Sequence, residues 1–354
     1  MKKVLLIALS VASLTSCKKE VKKNTETEEK VIVAPTVTEI ASFKGQQVTG
    51  VTVSTDGRVF VNFPRWRQGV TTSVAEVKKG KPSAFPNDSW NNWEIGKKVS
   101  DSVFVAVQSV VAFENDLYVL DTRNPEFKGV IASPKLFVFD LSTNKLKKTY
   151  TFPESSYHKD SYINDLRVDK ENGSIYLTDS GHAGLIVLNM ETTEAKRVLD
   201  NNIATKAEVD HLTIDGQAFT NVVHSDGIAL NPLDKKLYFH ALSGYTLYAI
   251  DPLVLIHGTD KEIAQSVEKV AKTSAPDGMI YNSNGDLYYG DLEQNAIMKR
   301  DVNGVISIFV KGDEVKWPDT FSIHNNTLYY TNSRISEVNG PIDGMSFTVN
   351  TVKL

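Results

Sequence analysis

The sequence predicts an all-β chain folded as a single six-bladed β-propeller, and three observations carry that prediction. One pattern recurs six times: a short apolar strand, a polar turn, then a second strand rich in Tyr, Phe and Val. The distance between recurrences suits one four-stranded blade with its loops. No long amphipathic helix interrupts them, since TDKEIAQSVEKV supports at most one short helix. A pair of β-sandwiches would not give six matching hairpins in register.

The elements follow in chain order. Residues 1–17 read as a lipoprotein signal peptide. MKK is a positive leader, and VLLIALSVASLTS is an apolar segment too short to span a bilayer. The single cysteine, Cys17, closes LTSC, which has the form of a bacterial lipobox, so Cys17 is the expected lipidation site. That use leaves no thiol for a disulfide, thiolate catalysis or a zinc–cysteine site. The expected location is the cell envelope, lipid-anchored at the periplasmic or outer-membrane face, or the extracellular space. Residues 18–38 begin charged, carry no aromatic side chain and read as a solvated tether. Residues 39–354 are the propeller.

The six hairpins are GVTVSTDGRVFVNFPRW from Gly50, SVVAFENDLYVLDTR from Ser109 and DLRVDKENGSIYLTDSG from Asp165, then GIALNPLDKKLYFHALSG from Gly227, GMIYNSNGDLYYGDLEQ from Gly278 and TFSIHNNTLYYTNSR from Thr320. Each alternates around a turn built from Asp, Asn or Gly. KLFVFDLSTNKLKKTY, GLIVLNMETTEAKRVL and AIMKRDVNGVISIFV supply third strands. LTIDGQAFTNVVHSDG reads as a long connection between blades. The formal net charge of −4 is small for 354 residues, and no basic stripe appears, so nucleic acid is not an expected partner. The expected partner is a small molecule, with membrane contact only through the anchor and a monomeric propeller.

The innermost strand of each blade lines the central channel, so the residue at its head stands at the channel mouth. Those positions are Thr49, Gln108, Asn164, Asp226, Asp277 and Asp319 or Thr320, all polar and none cationic. Such a ring suits a cation, an amine or a polyhydroxylated ligand. Asn164 is expected to face the ligand, and Asp165 to cap its own strand. Asp226 and Asp277 each precede Gly, which fits either a turn or a carboxylate aimed into the channel. Close carboxylates share a proton or a cation, which makes these two the candidate catalytic pair. His224 stands two residues before Asp226, where alternation points it the same way, and is the candidate acid/base partner. His240 is a second histidine expected near the channel. Trp66, Trp90 and Trp93 read as blade packing, with a ligand floor as the alternative, and Arg65 as a bridge between blades. No nucleophile elbow, phosphate loop or dinucleotide motif is present.

Several of these stretches resemble a known family. GRVFVNFPRW followed by FPNDSWNNW, then VQSVVAFENDLYVLDTR, SYINDLRVD and IYLTDSG, are similar to the yellow/major royal jelly protein family. Bacterial members often carry the label L-dopachrome tautomerase-related. The likeness continues through SDGIALNPLDKKLYFHALSG and WPDTFSIHNNTLYYTNSR. It implies a six-bladed propeller. It also implies one of several roles: dopachrome conversion, a structural or nutritional role, or amine binding in the central channel. In the amine binders a Thr and an Asn of the last blade line the ligand, and the matching positions are Thr320 and Asn332. Arg334 stands near the place of a family aromatic.

A more distant resemblance is to the regucalcin/gluconolactonase propellers, which hold a divalent metal with a Glu of blade one and Asn, Asn and Asp of later blades. The matching positions are Thr49, Asn164, Asp226 and Asp277, of which Asn164 and Asp277 agree. Thr49 is no carboxylate, so the implied site is a weak Ca²⁺ held by Asn164, Asp226, Asp277 and water. No cofactor is required by the sequence. The expected function is binding or conversion of a small molecule at the channel, tautomerase-like. The alternatives are a non-catalytic binder of an amine, catechol or sugar-derived ligand, a metal-dependent lactonase-like hydrolase, and a docking scaffold.

Overall fold

A computed structural model describes Met1 and residues 35–354. Cys17, the signal segment and the tether as far as residue 34 lie outside the described residues.

Each of the six recurrences forms a four-stranded antiparallel sheet. The innermost strands are Gly50–Val53, Val107–Phe113, Ile163–Asp169, Ser225–Leu230, Met279–Tyr281 and Pro318–His324. Each touches the innermost strands of its two neighbours, closing a ring, and the protein is a six-bladed β-propeller. Tight polar turns set the hairpin registers. In blade six Asn325 and Asn326 both adopt positive φ, 47° and 55°, as a two-residue primed turn requires.

Blade six is composite. Its first three strands are Pro318–His324, Thr327–Asn332 and Ser346–Lys353, and its outermost strand is Val37–Lys44. Val37 pairs with Val352 and Lys44 with Ser346. The hairpin pattern cannot reveal this pairing, because the partners lie at opposite ends of the chain. The long connection also differs from its sequence reading. It folds as a small hairpin, Leu212–Ile214 with Gln217–Phe219. A short helix, Pro252–His257, comes first, and TDKEIAQSVEKV then forms the one short helix expected of it, Asp260–Gln265. The second is fixed by a capping box between Thr259 and Glu262.

The core is divided among the blade interfaces. Tyr118 and Leu136 of blade two, for example, pack on Ile163, Leu166 and Leu177 of blade three. Comparable apolar clusters lie between the other neighbouring pairs. Each fully buried Leu, Ile or Phe contributes about 1.5–3 kcal/mol, so the blades are held face to face by burial. A further cluster, with Leu212, Ile214, Leu242 and Trp317, seats the small hairpin at the channel mouth.

Candidate functional site

Four innermost strands shift register at their heads: between Val107 and Ser109, Ile163 and Leu166, Ser225 and Ile228, and Pro318 and Phe321. These bulges break the two-residue alternation and re-aim the head residues. Gln108, Asn164, Asp226 and Asp319 are thereby turned into one cavity, together with Asp277. The Asp-Gly pairs have a packing reason. A β-carbon on Gly227 would lie 2.7 Å from the Asp277 carbonyl oxygen, and one on Gly278 would lie 2.1 Å from that of Asp319. Only glycine lets neighbouring inner strands approach so closely, and that approach draws the aspartates together.

A chain of hydrogen bonds runs around the mouth. Trp66 Nε1 donates to the Tyr162 hydroxyl (2.5 Å), which donates to Gln108 Oε1 (2.8 Å). Gln108 Nε2 donates to Asn164 Oδ1 (2.8 Å), and Asn164 Nδ2 to Asp226 Oδ2 (2.5 Å). Asp226 meets Asp277 carboxyl to carboxyl, and Trp317 Nε1 donates to Asp277 Oδ2 (2.6 Å). Two carboxyls in contact need a shared proton. Burial, then the charges of Asp277 and Asp319, hold the Asp226 carboxyl well above the usual range, so Asp226 keeps the proton and donates it. Burial likewise pushes Asp277 up to about 7, against the hydrogen bonds from Trp317 and Asp226. Asp319 is raised by burial and by Asp277. Among the described residues, no Lys or Arg pairs with any of the three.

Above this acidic floor stands a cavity of about 420 Å³ with aromatic walls. Phe127 lies 4.7 Å from Tyr162 and 5.5 Å from Trp66, centroid to centroid, while Phe219 meets Trp317 edge-on at 4.9 Å. Trp317 has φ +58°, a strained backbone for so bulky a residue, and that backbone aims its indole N–H at Asp277. The cavity opens outward past the small hairpin into a vestibule of about 500 Å³. Three residues along the blade-three strand, Arg167 spans the channel. Its Nη1 donates to Asp165 Oδ2 (2.8 Å) and its Nη2 to the Met279 carbonyl of blade five (2.8 Å). A second cavity, of about 310 Å³ and mostly apolar, lies on that side.

The predicted residues divide as follows. Gln108, Asn164, Asp226 and Asp277 come together at the mouth, with Asp319. Thr49 is fully buried, and its hydroxyl accepts from Asn62 Nδ2. Asp165 accepts from Ser109 of blade two and from Arg167. His224 does not join Asp226. The bulge at Ser225–Ile228 reverses the expected alternation, Val223 takes the place in the cavity wall, and His224 Nδ1 accepts from the Ala207 amide. His240 is buried away from the mouth, bonded to Thr273 Oγ1 and to the Ala241 carbonyl, and burial lowers it to about 4. Thr320 faces the second cavity and donates to Asp319. Asn332 ends its strand and holds a loop, accepting from the Lys316 amide and donating to the Glu314 carbonyl. The Thr320–Asn332 ligand pair is therefore not assembled. Trp66 lines the cavity, whereas Trp90 packs on Phe104, Phe137 and Phe139. Arg65 is buried and donates to the carbonyls of Asn91, Phe104 and Val105.

The walls Phe127, Tyr162, Phe219 and Trp317 were not read from the sequence as site residues. They lie in or beside loops, where the blade repeat gives no register. The one usable signal was Trp317, which stands directly before Pro318 and Asp319 at a strand head.

The chain is 28% identical over 204 residues to major royal jelly protein 3 of Apis mellifera, covering 55% of this chain and 37% of that protein. It is 23% identical over 269 residues to protein yellow of Drosophila guanche, covering 68% and 46%. The aligned stretch thus spans less than half the length of either relative. Among solved structures, a gluconolactonase from Xanthomonas campestris superposes with TM-score 0.53 at 12% identity, covering 91% of this chain and 95% of that one; this is a likeness of fold. The family model for major royal jelly proteins matches residues 106–341, well over half of the chain. The chain belongs to the major royal jelly protein family.

Proposed function

We propose that the mouth cavity binds a small molecule with an aromatic ring, a catechol or an alkyl amine that carries one, and that Asp226 and Asp277 move a proton on it in a tautomerase-like reaction. The observation that carries this reading is the carboxyl–carboxyl contact of Asp226 and Asp277 beneath aromatic walls. A protonated and an ionised carboxyl side by side are an acid and a base in one place, which is what moving a proton between two atoms of a substrate requires. The cavity has the size of a small-molecule site. A ligand ammonium would supply the positive charge that the three aspartates lack, and the aromatic walls would stack on a ring.

A second reading is a divalent cation serving a lactonase-like reaction. Asn164, Asp226 and Asp277 offer hard oxygen ligands. Thr49, at the place of the carboxylate in the metal-binding propellers, is spent on Asn62 and does not line the cavity, so that ligand set is incomplete.

Dopachrome decay and dopamine binding, the latter followed by quenching of Trp66 and Trp317, test the first reading. An Asp226→Asn/Asp277→Asn variant is expected to lose about 10²–10⁴-fold in turnover. Equal decay rates for variant and wild type sink the proton-transfer role. Saturable quenching without turnover would make the protein a carrier, and activity that appears only with added Ca²⁺ would favour the hydrolase.

A further inference from the structure

We infer that blade three carries a second, independent site: a borderline divalent metal, Zn²⁺ or a similar ion, held by His158, His182 and Asp200. These residues come from three successive loops on one edge of the blade. Their ligand atoms all lie within 4.8 Å of one another, the one such group of three among the described residues. Atoms about 2 Å from a common tetrahedral Zn²⁺ lie roughly 3.3 Å apart, so the widest separation must close by about 1.5 Å on binding. His158 Nε2 lies 3.1 Å from Asp200 Oδ1, and His182 Nε2 lies 3.8 Å from the same oxygen. The two imidazoles stack at 3.8 Å.

Three further features favour a ligand. His182 Nδ1 lies 3.0 Å from Asp160 Oδ1, an outer carboxylate of the kind that orients a metal-binding imidazole through its other ring nitrogen. Asn201 Nδ2 lies 2.8 Å from His182 Nε2, and a surface amide can swing aside to admit an ion. The loops are also held from below by one carboxylate. Asp179, fully buried, accepts from the His182 amide (3.0 Å) and from Ser161 Oγ (2.5 Å), and Ser161 Oγ in turn accepts from the His158 amide (2.8 Å). Arg197 links Asp179 to Asp200. The three carboxylates Asp160, Asp179 and Asp200 outnumber the one guanidinium of Arg197 in the cluster. Two imidazole nitrogens select Zn²⁺-like ions over Ca²⁺ or Mg²⁺. The half-exposed setting leaves the remaining coordination position to water.

The test is calorimetry of untagged, chelator-stripped full chain with Zn²⁺ alone. Binding of about one Zn²⁺ per chain is expected, weakened at least about tenfold by His182→Ala or His158→Ala and by Asp160→Asn. Asp226→Asn/Asp277→Asn should bind as wild type does, which separates this site from the mouth. Co²⁺ gives a second readout: visible absorption bands of a four-coordinate ion, lost in His158→Ala/His182→Ala. No Zn²⁺ uptake by wild type, or uptake unchanged in that double variant, overturns the proposal.

Discussion

At the heads of the inner strands, Asp226, Asp277 and Asp319 are buried with almost no donors; at the ends of the second strands, Asp121 and Asp179 are buried just as deeply and are surrounded by them. Asp121 accepts from the amides of Val105 (2.8 Å) and Ala106 (2.7 Å). Asp179 accepts from the amides of Tyr162, Gly181 and His182, from Ser161 Oγ and from Arg197 Nη1. The second position recurs around the ring as Asn62, Asp121, Asp179, Ala241, Asp291 and Asn332. One residue type in one kind of burial thus serves two ends. Donors turn the carboxylate into a loop clamp, and their lack turns it into a proton holder.

Removing one member of each set separates the two roles. Asp179→Ala leaves Arg197 Nη1, Ser161 Oγ and several amides without their buried acceptor, so a stability loss of about 3–5 kcal/mol in urea denaturation is expected. Asp277→Asn leaves no charge unpaired and should be far milder. Equal losses would erase the distinction.

The next effect is in pH. Asp226, Asp277 and Asp319 bind protons more tightly folded than unfolded. Their contribution is fully present below the ordinary carboxyl value of 3.8 and is lost as pH rises, for Asp277 through about 7. The slope is about 1.4 kcal/mol per pH unit for each extra proton held. Wild type should therefore lose stability relative to Asp226→Asn/Asp277→Asn between pH 5 and 7.5; parallel curves would mean that these acids are ionised throughout.

The smallest effect is at the far end of the hydrogen-bond chain. Trp66→Phe keeps the ring stack and removes only the N–H to Tyr162, for a loss of about 1 kcal/mol. An effect as large as that of Asp179→Ala would show the mouth to be clamped as tightly as the loops.

How much of this could be read from the sequence follows the same division. The inner ring was legible because the blade repeat fixes its register, and Asn164, Asp226 and Asp277 fell on one position of it. His224 was misplaced because alternation was carried across a bulge that the repeat does not announce. Asn332 was misplaced because a polar residue ending a second strand looks the same whether it meets a ligand or a loop; here it meets the loop at Glu314–Lys316. The aromatic walls were illegible because loop conformation, not periodicity, sets where Phe127 and Phe219 point. The His158–His182–Asp200 group escaped because three separate loops bring it together.

The pairing of Val37–Lys44 with Ser346–Lys353 also sets a timetable. During synthesis the first strand emerges long before its partner exists, while five blades are completed behind it. The growing chain is then an open fan with two bare edges, able to pair with a neighbouring copy instead of itself. Closing so long a loop adds little entropy beyond that of a shorter one, so the delay is one of order rather than of energy. The last blade is the latch of the nascent ring, and conditions that crowd nascent chains together act on the protein at that moment.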